Sequence, residues 1–120
     1  MINEKLLGNV YKKNIFSTDE TIIGTWIDGK SIYRKVIVVN SLATNQVLVN
    51  NVSRLISIKG EGNLLSAKRA LPFALYYEGH NCITVTVDAS NNIKSDIVAM
   101  GNPSTATNVY MILEYTKTTD

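Results

Sequence analysis

Nucleophilic catalysis in this chain would depend on His80, because it is the only imidazole that can act as a base. Cys82 follows two positions later, and residues two apart in an extended strand lie on the same face, so this spacing allows the thiol and the imidazole to meet. A free cysteine also packs as a small hydrophobic residue. We expect a buried Cys82 preceded by a histidine at the start of a strand, and no catalytic pair.

Paired carboxylates supply the acid and base of glycosidases, and a retaining pair lies about 5 to 5.5 Å apart. Glu61, Glu78, Asp88 and Asp96 lie on different predicted turns or strand ends, and nothing in their spacing brings two of them together. One cysteine and one histidine can form neither an internal disulfide nor the ligand cluster of a zinc site. We therefore expect no enzymatic activity, no cofactor and no metal site.

One polar turn carries the chemistry of a sugar-binding site, in which aromatic rings stack on the CH faces of the sugar and amides and carboxylates bind its hydroxyls. Its candidate ligand-binding residues are Tyr76, Tyr77, Glu78, His80 and Asn81. Adjacent strand residues point to opposite faces, so one tyrosine points away from the core unless both faces are covered. The alternative is that both rings are core or subunit-interface anchors.

Charge and hydropathy argue against two classes of partner. The chain has 12 Lys/Arg and 10 Asp/Glu, and its basic residues are scattered along the sequence. Nucleic-acid-binding domains have a denser basic surface. No apolar run approaches the roughly 20 residues of a membrane-spanning helix, and the N-terminus lacks the apolar region of a signal peptide. We expect neither nucleic-acid binding nor membrane insertion.

Alternating apolar residues and a high density of β-branched residues predict β-strands, which would position the candidate residues described above. Asp28 and Gly29 form the strongest hairpin signal, a type I′ turn that places Trp26 opposite Ser31. We interpret Trp26, Asp28, Gly29 and Tyr33 as structural residues of this hairpin. The unbroken apolar run at residues 36–39 predicts a strand segment buried on both faces.

The remaining strands are predicted from alternation and from the residues that interrupt it. Residues 82–88 show the clearest alternation and predict a half-buried antiparallel strand. Gly60 and Gly62 are expected to end the strand before them, and Pro72 limits its own segment to an edge, a strand start or a bulge. About seven strands separated by polar turns indicate an all-β fold, an antiparallel, jelly-roll-like β-sandwich.

The N-terminal segment differs in its pattern from the rest of the chain. Ile2, Leu6 and Val10 recur every four residues, but Gly8 interrupts them, so a short helix and a strand lead-in both remain open. We divide the chain into a lead-in or stem segment, 1–16, and a β-sandwich tip domain, 17–120.

Two separated segments resemble a known family. Residues 23–37, IGTWIDGKSIYRKVI, are similar to the IGTWIDGKPIYRKVI segment near the C-terminus of phage and prophage tail-fibre and minor structural proteins. Residues 109–120, VYMILEYTKTTD, resemble the EYTKTTD ending of that family. Ser31 stands where proline is usual, a change that affects the exit from the turn more than the fold. The resemblance covers about residues 17–120.

This resemblance implies a non-enzymatic distal domain of a phage tail fibre, made in the host cytoplasm and located in the virion tail. The family's properties imply a homotrimer that attaches to the host by multivalent binding of cell-surface glycan, with other tail or baseplate proteins as further partners. Long apolar strands in a domain with few charges leave one sheet face in need of a partner, which a three-fold assembly would cover. The alternative function is purely structural, as a trimerisation or capping domain of a tail fibre or baseplate.

Overall fold

The chain forms two antiparallel β-sheets, and the computed structural model describes residues 16–75, 79–99 and 105–120. These residues contain strands and no helix, which confirms the predicted all-β class, and the antiparallel pairing is compatible with a β-sandwich. No helix among them is long and apolar enough to cross a membrane. The strands are β1 (Thr21–Thr25), β2 (Ser31–Ala43), β3 (Val47–Val49), β4 (Val52–Leu64), β5 (Ala67–Leu71), β6 (Phe73–Leu75), β7 (Asn81–Val87), β8 (Ile93–Val98) and β9 (Thr105–Lys117).

β9 occupies the centre of the larger sheet, whose strand order is β1-β2-β9-β4-β5; the smaller sheet has the order β3-β8-β7-β6. β9 pairs with β2 from Tyr115 opposite Tyr33 to Thr105 opposite Ala43, and it pairs with β4 on its other side. Residues 31–37 and residues 109–117 therefore lie on adjacent strands.

Both sheets contribute to the hydrophobic core. The larger sheet supplies alternate residues of β9, and the smaller sheet supplies residues of β7 and β8. Because alternate strand residues point to the same face, each strand presents one apolar row to this core. Its fully buried members include Leu42, Val52, Ile83, Ile93, Ile97, Val109, Met111, Leu113 and Tyr115.

The predicted β1–β2 hairpin is present, but its register differs by one residue from the prediction. The Trp26 N–H donates to the carbonyl of Lys30 at 2.8 Å, so these residues face each other. Ser31 pairs with Thr25, whereas a two-residue turn would place it opposite Trp26. The predicted type I′ turn is therefore wrong.

The loop of this hairpin has three residues, 27–29. The Gly29 N–H donates to the carbonyl of Trp26 at 2.9 Å, and Gly29 has a φ of +88°, whereas Asp28 does not have a positive φ. The Asp28 carboxylate instead accepts the Lys30 N–H at 3.0 Å. Such an aspartate contact together with a left-handed glycine is typical of three-residue hairpin loops, and it accounts for the additional loop residue.

β4 continues through the two glycines that were expected to end a strand. Gly60 and Gly62 lie inside β4. Gly60 has a φ of +141°, and a Cβ at this position would lie 1.9 Å from the carbonyl oxygen of Tyr110. Glycine is required here because the backbone of β9 approaches closely, which is a recognised role of glycine within a strand. The predicted strand end was therefore wrong.

A second hairpin joins β4 to β5 through Leu65 and Ser66. Their φ values are 54° and 61°, and Leu64 pairs with Ala67 across them. Positive φ at both central residues is the requirement of a type I′ turn. The chain then enters the smaller sheet through Pro72, which lies between β5 and β6.

The apolar run at residues 36–39 is not buried on both faces, contrary to the prediction. Ile37 and Val39 pack against the core, and Val36 is buried, but the Val38 side chain is 46% exposed on the other face of the sheet. The prediction fails because no described strand covers that face. In β7, by contrast, Ile83 and Val85 are buried and the pairing is antiparallel, as predicted, although Val87 of the same row is 36% exposed.

The predicted lead-in segment lies almost entirely outside the described residues. Phe16 is its only described member. The alternatives of a short helix and a strand lead-in for residues 1–15 therefore stay predictions.

Candidate functional site

The predicted sugar-binding turn is described only in part. Tyr76, Tyr77 and Glu78 lie outside the described residues. His80 is exposed just before β7 begins, whereas the Asn81 side chain is only 2% exposed and its amide donates to the carbonyl of Gly79 at 3.3 Å. His80 therefore lies at the surface of this turn, whereas the amide of Asn81 binds within the protein.

Cys82 is surrounded by protein. Its side chain is 1% exposed, and Sγ lies 3.4 Å from the carbonyl oxygen of Asp96. Burial, followed by the negative charge of Asp96, raises the pKa of the Cys82 thiol. An activated nucleophile requires the opposite shift, because the thiolate is the reactive form. The exposed His80 and the buried Cys82 thus differ in their access to solvent.

The acidic residues considered as a catalytic pair are on separate elements. Glu61 is on β4, Asp96 is on β8, and Asp88 follows β7. The Asp88 carboxylate accepts backbone N–H groups of its own turn and forms a 3.0 Å ion pair with Lys94. No group of three histidine, cysteine or acidic residues suited to a metal ion occurs in the described parts of the chain.

Tyr33 of the predicted hairpin connects β2 to the C-terminal residues. Its ring stacks on Tyr115 with a centroid distance of 6.1 Å, and its hydroxyl donates to the Asp120 carboxylate at 3.0 Å. That hydrogen bond is the main reason why the pKa of Tyr33 is raised. Lys30 Nζ donates to the carbonyls of Lys117 and Asp120. These contacts attach the end of the chain to the first hairpin.

A second polar contact crosses the three central strands of the larger sheet. Arg34 on β2 forms a 2.8 Å ion pair with Glu114 on β9, and Ser57 on β4 donates to the other carboxylate oxygen of Glu114 at 3.0 Å. Both charged side chains are mostly buried. The Arg34 guanidinium also lies 4.6 Å from the centre of the Phe16 ring, a cation–π distance.

Glu20, just before β1, is the centre of a charged cluster that the sequence did not identify. Its two carboxylate oxygens accept hydrogen bonds from Lys117 Nζ and from the Tyr115 hydroxyl, each at 2.6 Å. Partial burial raises the pKa of Glu20, but these hydrogen bonds and the charges of Lys117 and Lys35 outweigh it and hold the pKa below its ordinary value. No residue spacing identifies this cluster, because the strand pairing brings its members together.

Two grooves with different chemistry lie next to these contacts. The first, here called the polar groove, has a volume of about 280 Å³ between the larger sheet and the β3 edge of the smaller sheet. The residues of the polar groove that matter here are Glu20, Lys35, Val47, Asn50, Asn51 and Lys117.

The second, here called the apolar groove, has a volume of about 310 Å³ on the outer face of the larger sheet. Val36 pairs with Ile112, and Val38 pairs with Tyr110, so the four side chains share this face. Phe16 lines one side. The apolar run at residues 36–39 was the available sequence signal, although it was interpreted as buried.

Comparison with known proteins adds no relative, since no protein-family model, curated protein or solved structure matches the chain. The candidate functional surface is therefore defined by the chain's own residues. It consists of the exposed His80, the polar groove and the apolar groove.

Proposed function

We propose that this chain is the distal domain of a phage tail fibre, and that it assembles as a homotrimer and attaches the virion to its host by binding cell-surface glycan. The observation that carries the proposal is the apolar groove, which lies on a sheet face where Val38 and Tyr110 stay exposed although Phe16 lines one side. An assembly of identical chains would bury this face.

The exposure of the apolar groove supports self-association. Val38 is 46% exposed and Tyr110 is 54% exposed, although both lie in the middle of paired strands. Clustered exposed apolar residues on a soluble domain typically mark an interaction surface. Paired strands hold these side chains in fixed positions, as a specific interface requires.

The polar residues beside the apolar groove favour a second copy of this chain as its occupant. Lys59 pairs with Ile112 and Glu61 pairs with Tyr110, so both signs of charge border the apolar residues on β4. A face that carries both signs can be complementary to itself, and rotation about an axis brings opposite charges of neighbouring copies together. A partner with a single sign of charge would match only part of this border.

Multivalency explains how such a domain would attach to a host surface. Each copy presents an open polar groove and an exposed His80, and an open groove encloses less of a ligand than the deep pockets that bind small molecules tightly. Linking several weak sites raises the overall affinity by factors of about 10² to 10⁴. Attachment would then be reversible and would need no bond cleavage.

Sedimentation of the purified chain tests the assembly. We expect the wild-type chain to sediment as a trimer at micromolar concentration and Val38→Lys to sediment as a monomer, because the lysine places a charge in the apolar interface. Ile27→Lys is the matched control, since Ile27 is 93% exposed at the tip of the first hairpin. A wild-type monomer, or a Val38→Lys trimer, would contradict the proposal.

The structural alternative is favoured by a different observation. The residues that carry the family resemblance contact each other: Tyr33 stacks on Tyr115, and Arg34 binds Glu114. These contacts connect β2 to β9 and so have a structural role. A stable trimer that does not bind host cells or immobilised glycans would support a trimerisation or capping domain.

A further inference from the structure

We propose that the polar groove binds the acidic group of a saccharide, either a carboxylate or a phosphate. This inference rests on the proposed function, because it takes the ligand from a host surface, and it adds the ligand's chemical class. The site shares no residue with the predicted turn at residues 76–81. Three observations support it: the charge balance of the groove, the position of Lys35, and the chemistry of the opposite wall.

The charge balance leaves the polar groove with an excess positive charge. Lys117 forms a 2.6 Å ion pair with Glu20, and the second oxygen of Glu20 accepts the Tyr115 hydroxyl. Both carboxylate oxygens of Glu20 therefore accept a hydrogen bond, and its negative charge is balanced by Lys117. Lys35 lines the same groove and contributes a second positive charge.

Lys35 is positioned to donate to a ligand. Its ammonium group makes no hydrogen bond and no ion pair with another described residue, although its charge acts on Glu20. Its partner across the ladder is Leu113, a core residue, so Lys35 lies on the side of β2 that faces the smaller sheet. Because Lys35 lines the groove from that side, its ammonium can reach an anion bound there and donate to it.

The opposite wall of the polar groove suits the rest of a sugar. Asn50 and Asn51 are exposed, and the Asn51 backbone carbonyl accepts the Thr118 N–H at 2.8 Å, which attaches this turn to the larger sheet. Amide side chains bind hydroxyl groups as donors and as acceptors. Val47 is exposed beside them and offers an apolar surface to the CH face of a ring.

Binding of three defined probes to the purified chain tests the site. The probes are trigalacturonate for a carboxylate, galactose 6-phosphate for a phosphate, and galactotriose as the neutral control, each measured by titration calorimetry at low and at high salt. We expect an acidic probe to bind, with an affinity that falls as salt rises. Lys35→Gln should weaken this binding roughly tenfold, the factor for one lost charge-assisted hydrogen bond.

Lys68→Gln is the matched control, because Lys68 is exposed on β5 of the same sheet and does not line the polar groove. Asn50→Ala is a second groove variant and should weaken binding of the same probe without changing its salt dependence. Equal melting temperatures of the variants exclude unfolding as the cause. Equal binding of the neutral probe, or equal affinity of Lys35→Gln and Lys68→Gln, would overturn the proposal.

Adsorption to host cells separates this proposal from the proposed function. If Lys35→Gln adsorbs to host cells as well as the wild-type chain does, the polar groove is not the ligand site. Host attachment would then remain supported. Binding of an acidic probe by a chain that does not adsorb to cells would support the groove and count against host attachment.

Discussion

Both hairpins of the larger sheet reverse the chain in a short loop, but the residues in the two loops are of different types. The β1–β2 loop has a left-handed glycine, Gly29, and an aspartate that accepts a backbone N–H. The β4–β5 turn has neither feature, and Leu65 and Ser66 both adopt positive φ. A positive φ is costly for residues that have a Cβ, and it is rarest for bulky ones.

The difference shows where each turn obtains its geometry. In the first hairpin, local residues specify the turn. In the second, five consecutive pairs from Gly60–Leu71 to Leu64–Ala67 align β4 with β5 and close the chain in two residues. Strand pairing and the packing of Leu64 against the core outweigh the local preference, so this turn is imposed by the sheet.

The largest expected effect comes from Gly60, where the second hairpin's ladder begins. Gly60→Ala should lower the free energy of unfolding by about 3 kcal/mol or more, because the new Cβ would overlap a backbone carbonyl of β9 that cannot move independently. Urea denaturation would measure the change.

Gly29→Ala is the control for this substitution in the first hairpin. Its φ is also positive, but nothing lies within 4 Å of the added Cβ. Its cost should be limited to the conformational penalty of about 1–2 kcal/mol. If the two alanine substitutions lowered the free energy of unfolding equally, the close approach of the β9 backbone to Gly60 would not be the cause of the larger effect.

A smaller effect of opposite sign is expected at the second turn. Replacing Leu65 by Asn and Ser66 by Gly supplies the residues that a type I′ turn prefers, and should raise the free energy of unfolding by about 1 kcal/mol. Thermal and urea unfolding would measure the gain. Ile27→Asn is the control, because Ile27 lies in a loop at a residue without positive φ. If the double variant were less stable than the wild-type chain, the claim that strand pairing imposes this turn against the preference of Leu65 and Ser66 would be contradicted.

The last expected effect is of similar size, but it depends on pH and again separates the two hairpins. Because the folded-state pKa of Glu20 is below 4.5, its carboxylate contributes its full stability above that pH, and this contribution is lost as the pH falls through the folded-state value. Glu20→Gln should lower the free energy of unfolding at pH 7 by about 1 kcal/mol after solvent screening, and the difference should narrow in acid.

Glu61→Gln is the corresponding change in the second hairpin. Glu61 and Lys68 are exposed and 3.8 Å apart, so their ion pair should contribute less than about 0.5 kcal/mol. Urea denaturation from pH 3 to pH 7 would compare the two variants. If the loss of unfolding free energy changed equally with pH in both variants, the clustered carboxylate of Glu20 would not differ from the isolated carboxylate of Glu61.

The fold was largely predictable, because alternation and turn residues are local signals. The all-β class, the first hairpin and the strand at residues 82–88 follow from such patterns. The continuation of β4 through Gly60 was not predictable, because the need for glycine arises from Tyr110 on a strand distant in sequence. The turn at Leu65 and Ser66 was missed because neither residue favours the positive φ of this turn and the pairing of β4 with β5 imposes it.

The candidate site was much less predictable. Glu20, Lys35 and Lys117 have unremarkable sequence surroundings, and only the order of β1, β2 and β9 in one sheet brings them together. The exposure of Val38 was misjudged because an apolar run does not say how many layers cover it. Of the predicted sugar-binding residues that the structure describes, His80 is at the surface, and Asn81 is buried at the first position of β7.

The central position of β9 has a consequence for synthesis of the chain on the ribosome. β2 and β4 emerge early, but the neighbour that both require is translated many residues later. Until then, each has an open edge able to pair with another nascent chain. A message truncated before the codons of β9 should therefore yield aggregates, and productive folding should begin only once that strand has left the exit tunnel.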